Sequence, residues 1–278
     1  SAASGVTSVH PLDVDGDSDV DVVVGSHKDD SVRWMQSDGA SSPTFAANAI
    51  TAGANGVKSV FALDVDGDSD VDVLSASNID DTVAWYENDG SQGFSTRVVT
   101  VAADGASSVS AVDLDGDSDV DILSAAPTDN TVTWHQNDGS QSFTGISVTA
   151  SATGAYDVFV ADVDGDADTD VLVASHGDDS VRWFDNEGEN TFGVYELDEY
   201  VIASDADYAA SVMAIDVDGD GDQDVVAASF SDDKVAWHEN DGSQSFSERV
   251  VSTTADGVWR AHARDMNGDG LLDLVVVM

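Results

Sequence analysis

Six short stretches of this sequence place oxygen-bearing side chains at alternate positions. The first, DVDGDSDVD at 13–21, holds Asp13, Asp15, Asp17, Asp19 and Asp21. The pattern returns with Asp64, Asp66, Asp68, Asp70 and Asp72, and again with Asp113, Asp115, Asp117, Asp119 and Asp121. Two further copies hold Asp162, Asp164, Asp166, Asp168 and Asp170, then Asp216, Asp218, Asp220, Asp222 and Asp224. The sixth reads Asp265, Asn267, Asp269, Leu271 and Asp273. Two carboxylates about 5 Å apart repel by roughly 3 kcal/mol at an effective dielectric of about 20. Five on one turn with no counter-ion would raise their pKa values and open the loop. A hard divalent cation reverses the sign of that energy. Calcium takes roughly six to eight oxygen ligands at about 2.3–2.6 Å in flexible geometry. A glycine at the fourth position of every copy, such as Gly16 and Gly67, lets the backbone turn sharply around an ion. The expected cofactor is Ca²⁺, about one ion per copy and up to six.

Other chemistries fit less well. An EF-hand loop also begins Asp-x-Asp, but it needs glycine at its sixth position, glutamate at its twelfth and flanking helices. The first copy has Ser18 and Val24 there, within strand-like sequence. Magnesium keeps several waters rather than a full protein cage. Zinc calls for Cys or clustered His. A solvated acidic turn is the bland reading of a single copy, and six near-identical copies weigh against it.

The elements that position these loops repeat with them. The loops begin 51, 49, 49, 54 and 49 residues apart. The first five are each followed by a Val-x-Trp segment, carrying Trp34, Trp85, Trp134, Trp183 and Trp237, and then by Phe45, Phe94, Phe143, Phe192 and Phe246. One unit reads as four strands. SVFAL (59–63) alternates as a half-buried strand does, and the acidic loop, DVLSAS, a polar turn and TVAWYEN follow. An Asn-Asp-Gly hairpin signal then leads into FSTRVVT. Four strands per unit of about 45–50 residues predict the blade of a β-propeller. The expected fold is all-β, a single propeller domain over 1–278 with six repeats. The units run approximately 5–55, 56–105, 106–153, 154–207, 208–256 and 257–278, the last incomplete. That last unit offers a first strand (Val258–Arg264), its loop and DLVVVM, but no Trp-bearing strand. A longer polypeptide or a neighbouring chain is expected to complete it.

The stretches DVDGDSDVDVVVGS, DVDGDSDVDVLSAS and DMNGDGLLDLVVVM resemble the FG-GAP/VCBS repeat family over essentially the whole chain. Similar cages occur in the propeller domain of integrin α subunits, although the FG and GAP tripeptides are degenerate here. The resemblance implies a β-propeller with one Ca²⁺ between the first and second strands of each blade. It also implies ligands from the side chains at positions one, three, five and nine and the backbone carbonyl at position seven. In the first copy these are Asp13, Asp15, Asp17 and Asp21 with the carbonyl of Asp19. The sixth copy departs at Asn267, which still offers an oxygen, and at Leu271, where a carbonyl needs no particular side chain.

Composition narrows the partners. With 9 Lys+Arg against 55 Asp+Glu, the formal charge of -46 repels nucleic acid and anionic membranes. Five aspartates in each of five loops and three in the sixth supply 28 of those 55 acids. The absence of cysteine excludes disulfides and thiolate sites. No apolar run approaches the length of a membrane span. The chain opens SAASG without Met, as a processed or excised segment would. His135 and His238 follow the repeating Trp and read as packing positions. His27 and His176, at the second-strand tips, read as solvated turns. The repeating Trp residues read as core between blades, while Trp259 stands outside that register and aligns with Thr7. No nucleophile elbow or phosphate loop is present, so no enzyme activity is expected. The expected function is an extracellular, secreted or cell-surface calcium-binding module with a structural or adhesive role. Two alternatives are a filament or surface-assembly subunit self-associating through the incomplete blade, and a glycan-binding module.

Overall fold

The computed structural model describes residues 4–189 and 195–278 as strands, turns and loops, with no helix among them. No described helix is therefore long and apolar enough to cross a membrane. The first repeat gives β1 (Val6–Leu12), β2 (Asp21–Ser26), β3 (Ser31–Ser37) and β4 (Phe45–Thr51), one antiparallel sheet in chain order. The second gives β5 (Val57–Leu63), β6 (Asp72–Ser77), β7 (Thr82–Asn88) and β8 (Phe94–Thr100). The third gives β9 (Ser108–Val112), β10 (Asp121–Ala126), β11 (Thr131–Asn137) and β12 (Phe143–Thr149). The fourth gives β13 (Ala155–Ala161), β14 (Asp170–Ser175), β15 (Ser180–Glu189) and β16 (Tyr195–Ala203). The fifth gives β17 (Ala209–Ile215), β18 (Asp224–Ser229), β19 (Lys234–Asn240) and β20 (Phe246–Ser252). Each forms a four-stranded sheet in the same order, and β21 (Arg260–Arg264) with β22 (Asp273–Val277) makes a two-stranded one. Three of the four strands expected in the second repeat fall on their predicted bounds. The final repeat's first strand starts later, at Arg260 rather than Val258, whose N–H bonds to the Ala255 carbonyl (3.0 Å).

The chain divides into two compact units, one of 1–112, 119–129 and 133–147, the other of 113–118, 130–132 and 148–278. In the first unit, β1 lies beside β5 and β5 beside β9. Thr7 Oγ1 donates to the Val57 carbonyl (2.7 Å) and the Val60 N–H donates to Ser8 Oγ (3.1 Å), so small polar residues join those sheets. Trp34 packs with Val57, Val60 and Phe94 of the next repeat. Trp85 does the same with Val109 and with Phe143, whose ring meets it edge-on at 6.3 Å. In the second unit, β13 lies beside β17 and β17 beside β21, and Phe246 meets Trp183 edge-on at 6.1 Å. Trp34, Trp85 and Trp183 thus form core with the sheet that follows, as the register of the Trp residues predicted, and Phe94, Phe143 and Phe246 pack on them; Phe45 is exposed and Phe192 lies outside the described residues. Trp237 is only half-buried, and no phenylalanine follows Phe246 in the sequence to cover it.

In the second, fourth and fifth repeats the second strand is buried along both faces, whereas the fourth strands of the second and fifth are mostly exposed. This is why the second-strand sequences run nearly unbroken in Val, Leu, Ile, Ala and Ser. A clamp joins successive repeats at the turn between the second and third strands. Asp30, Asp81, Asn130, Asp179 and Asp233 close that turn at φ 50, 56, 61, 58 and 54°. Their side-chain oxygens accept the N–H of Gly56 (3.0 Å), Gly105 (2.9 Å), Gly154 (2.8 Å), Tyr208 (3.0 Å) and Gly257 (2.8 Å) in the following repeat. Asp and Asn suit the position because they tolerate the left-handed conformation and bring an acceptor. Since Asn130 performs the task without a charge, Asp81→Asn is expected to melt within about 1 °C of the parent. Asp81→Ala should lose about 1–2 kcal/mol, seen as a Tm several degrees lower in a thermal melt.

Candidate metal centres

Every acidic loop bridges the first and second strands of its repeat, and a ladder of side-chain to backbone hydrogen bonds sets its shape. The first-position aspartate folds back over its own loop. Asp13 accepts the N–H of Gly16 (2.9 Å) and of Ser18 (2.8 Å), and Asp64, Asp113, Asp162, Asp216 and Asp265 each accept the two equivalent N–H groups. Those bonds hold the Asp265 carboxyl below its ordinary value. Third-position Asp66 and Asp164 accept from the fifth residue, and fifth-position Asp17, Asp68, Asp166 and Asp220 accept from the seventh. Asn267 takes the same place in the sixth loop, accepting the Asp269 N–H at 2.9 Å.

The ninth-position aspartate has a different task. Asp21, Asp72, Asp121, Asp170 and Asp224 are completely buried. Asp21 accepts the Val14 N–H (3.2 Å) from the start of its loop and the Ser37 N–H (2.7 Å) from the end of β3. Asp72, Asp170 and Asp224 make the same pair of bonds, to Val65 and Asn88, Val163 and Asn186, and Val217 and Asn240. The Trp34 indole N–H adds a third bond to Asp21, at 2.8 Å. In the second and fourth repeats the indole lies near enough to lower the carboxyl pKa, without the geometry of a full hydrogen bond. The Trp therefore serves the loop as well as the core, which its spacing alone did not reveal.

Seventh-position side chains lean against the hairpin glycine of their own repeat: Asp19 on Gly39, Asp70 on Gly90 and Asp222 on Gly242. Each of those glycines has positive φ and no room for a Cβ. This leaves the seventh residue's side chain committed to the hairpin. The sixth position is a constraint the sequence reading passed over. Ser18, Ser69, Ser118 and Ala167 stand at φ 74, 76, 77 and 82°, where Gly221 and Gly270 serve in the last two loops.

The remaining carboxylates converge. Oxygens of Asp13, Asp15 and Asp17 lie within 4.8 Å of one another, as do those of Asp64, Asp66 and Asp72 and those of Asp162, Asp164 and Asp166. These are oxygen-only clusters of the kind a hard cation takes, with no His or Cys among them. Electrostatics in the cation-free chain are adverse. Burial pushes Asp72 up to about 6 against the bonds from Asn88 and Val65, and Asp170 likewise to about 6. Asp15 is raised by burial and by Asp17 and Asp21. The residues present fit a calcium ion: positions one, three and five converge in the first and fourth loops, and positions one, three and nine in the second.

Elsewhere the expectations divide. His135 is buried with its Nε2 2.9 Å from Ser124 Oγ, and burial lowers it to about 4; His238 is buried too. Both are packing positions, as read. His176 is no plain solvated turn. Its ring stacks on Tyr208 at 4.5 Å and meets Tyr156 at 5.5 Å, while Trp259 packs on Phe230 at 4.5 Å and on both tyrosines at 5.8 Å. Tyr156 and Trp259 share one register position and His176 and Phe230 another, but neither position is aromatic in every repeat, so residue type alone did not announce the cluster.

Fold and loops define a class: a repetitive all-β protein whose repeats each carry an acidic loop between their first and second strands. The chain belongs to the FG-GAP-like repeat family, whose profile matches residues 13–75, 64–124, 113–173, 162–227 and 216–276. No curated protein sequence matches it significantly. Among solved structures it is similar to an Agrocybe aegerita lectin that specifically recognises non-reducing terminal N-acetylglucosamine (TM-score 0.65, 21% identity, 97% of this chain and 74% of that one). It is also similar to virginiamycin B lyase from Staphylococcus aureus (0.63, 11%, 93% and 74%). A third likeness is to a V. cholerae biofilm matrix protein (0.54, 14%, 94% and 41%). At these identities the likeness is one of fold.

Two outcomes follow from the loop geometry. Asp72 and Asp170 have folded-state pKa values above their unfolded ones, so the folded chain holds extra protons between about pH 4 and pH 6. Without cation, stability should fall as pH rises through that window, and thermal melts at pH 5 should exceed those at pH 7.5. Relieving the left-handed alanine with Ala167→Gly should raise stability by about 0.5–1 kcal/mol in denaturant titration.

Proposed function

We propose that this chain is a calcium-binding module whose sheets are the blades of a β-propeller, with a structural or adhesive role outside the cell. The observation that carries this reading is the convergence of carboxylates onto oxygen-only clusters in loops that recur through the chain. An ion there would be held by Asp13, Asp15, Asp17 and Asp21 in the first loop, with the Asp19 carbonyl, and by the equivalent residues in the other five. It would supply charge neutralisation and bind loop to sheet; it has no catalytic part. Calcium at about ten times its dissociation constant contributes about 1.4 kcal/mol per site, so six sites give roughly 8 kcal/mol. That equals the net stability of a whole domain. The extracellular setting follows from the same energetics, because calcium is abundant there, and a chain without cysteine has no disulfides to brace it. The fold likeness to a biofilm matrix protein supports the adhesive role. Stripping the protein with a chelator in low salt should lower its Tm by more than 10 °C, and added calcium should restore it. An unchanged melt would sink the reading.

A second reading concerns the ligand. The rings of Tyr156, His176, Tyr208, Phe230 and Trp259 make a half-buried aromatic surface. Aromatic faces stack on the apolar faces of sugar rings, and one structure of similar fold is a lectin. On a glycan array, the protein is expected to bind a restricted set of glycans and Trp259→Ala to lose them.

A further inference from the structure

The fourth repeat carries a carboxylate that no other repeat places in the same way. Asp185 lies on β15, two residues beyond Trp183. It is completely buried, and both its oxygens lack a hydrogen-bond partner among the described residues. One of them lies within 4.8 Å of oxygens of Asp164 and Asp170, the third and ninth residues of the fourth loop. The equivalent residues elsewhere are Gln36, Glu87, Gln136 and Glu239. Gln36 is neutral and donates to Asp15 at 2.6 Å. Glu87 and Glu239 are turned to cations on the neighbouring strand, Arg97 at 2.5 Å and Arg249 at 2.6 Å. Those arginines sit opposite Trp85 and Trp237, whereas the residue opposite Trp183 is Tyr200, stacked on the indole at 4.9 Å. The fourth repeat has thus exchanged an arginine for an aromatic ring and left a shorter acid facing the loop.

An unpaired buried carboxylate beside two others is costly in its charged form, and a proton or a positive charge placed among them relieves it. We propose that Asp185 is a fifth side-chain carboxylate ligand at the fourth loop, which makes that loop the tightest cation site of the chain. The inference rests on the calcium reading above and adds a ligand from outside the loop. Affinity of such sites rises with ligand charge, so the extra carboxylate separates this site from its neighbours. It also binds the ion directly to β15, where the first loop reaches its third strand through hydrogen bonds from Trp34, Gln36 and the Ser37 N–H.

Competition between the stripped full-length protein and a chromophoric calcium chelator counts the sites and ranks their affinities. The expected result is one site at least tenfold tighter than the rest, which Asp185→Asn returns to the common value with the total number of sites unchanged. Tyr200→Arg, which restores the cation of the second and fifth repeats and leaves every carboxylate in place, is expected to weaken the same single site. If calcium binds but neither variant alters the tightest class, Asp185 is not a ligand, and the general calcium reading stands. Should wild-type protein bind no calcium at all, both readings fall. If Asp185→Asn raises the Tm without changing any affinity, Asp185 is a protonated core residue and the inference is overturned.

Discussion

In each of the first five repeats one buried carboxylate ties the acidic loop to its sheet. The ninth loop residue, Asp21 in the first copy, sits in the interior at the start of the second strand and accepts backbone N–H groups from the loop's beginning and from the end of the third strand. Loop, second strand and third strand of one repeat are pinned to one ionisable group. Hydrogen bonds to a charged acceptor are stronger than neutral ones, but the charge must survive burial. Burial alone raises Asp72 and Asp170, and the loop supplies further negative charge rather than relief. In the second and fourth repeats the interior therefore holds a carboxylate whose charge is disfavoured by its own surroundings.

Much of this was legible in the sequence because it is repeated. Strand order, the place of the acidic loop between first and second strands, and the Trp–Phe packing between sheets all show as positions that return every fifty residues or so. A residue such as Val73 or Leu74 announces its burial by type, and DVLSAS could be bounded to the residue. The resemblance carried by the nine-residue motif agreed with the family match along the chain.

What was not legible depends on geometry that residue type does not encode. Asp30 and Asp81 look like more surface acid, yet they clamp the next repeat, and only the left-handed φ of the turn explains why they differ from Asp29 and Asp80 beside them. Ser69 and Ala167 conceal a glycine-like conformation because most copies do without glycine there. Asp185 and Tyr200 were invisible for the opposite reason: each departs from the repeat, and a pattern reading averages such departures away. The aromatic cluster around Tyr208 gathers residues from different repeats, which only the packing of adjacent sheets brings together.

The contact between Trp34 and Asp21 has an optical consequence. An indole excited by ultraviolet light shifts its electron density from the pyrrole to the benzene ring, so its emission colour responds to charge beside the nitrogen. With the ninth-position carboxylate at that nitrogen, protonation or neutralisation of the loop alters the field the chromophore feels. The fold thus carries a built-in fluorescent reporter in its first repeat, with near copies at Trp85 and Trp183, and the state of those loops can be followed without attaching a dye.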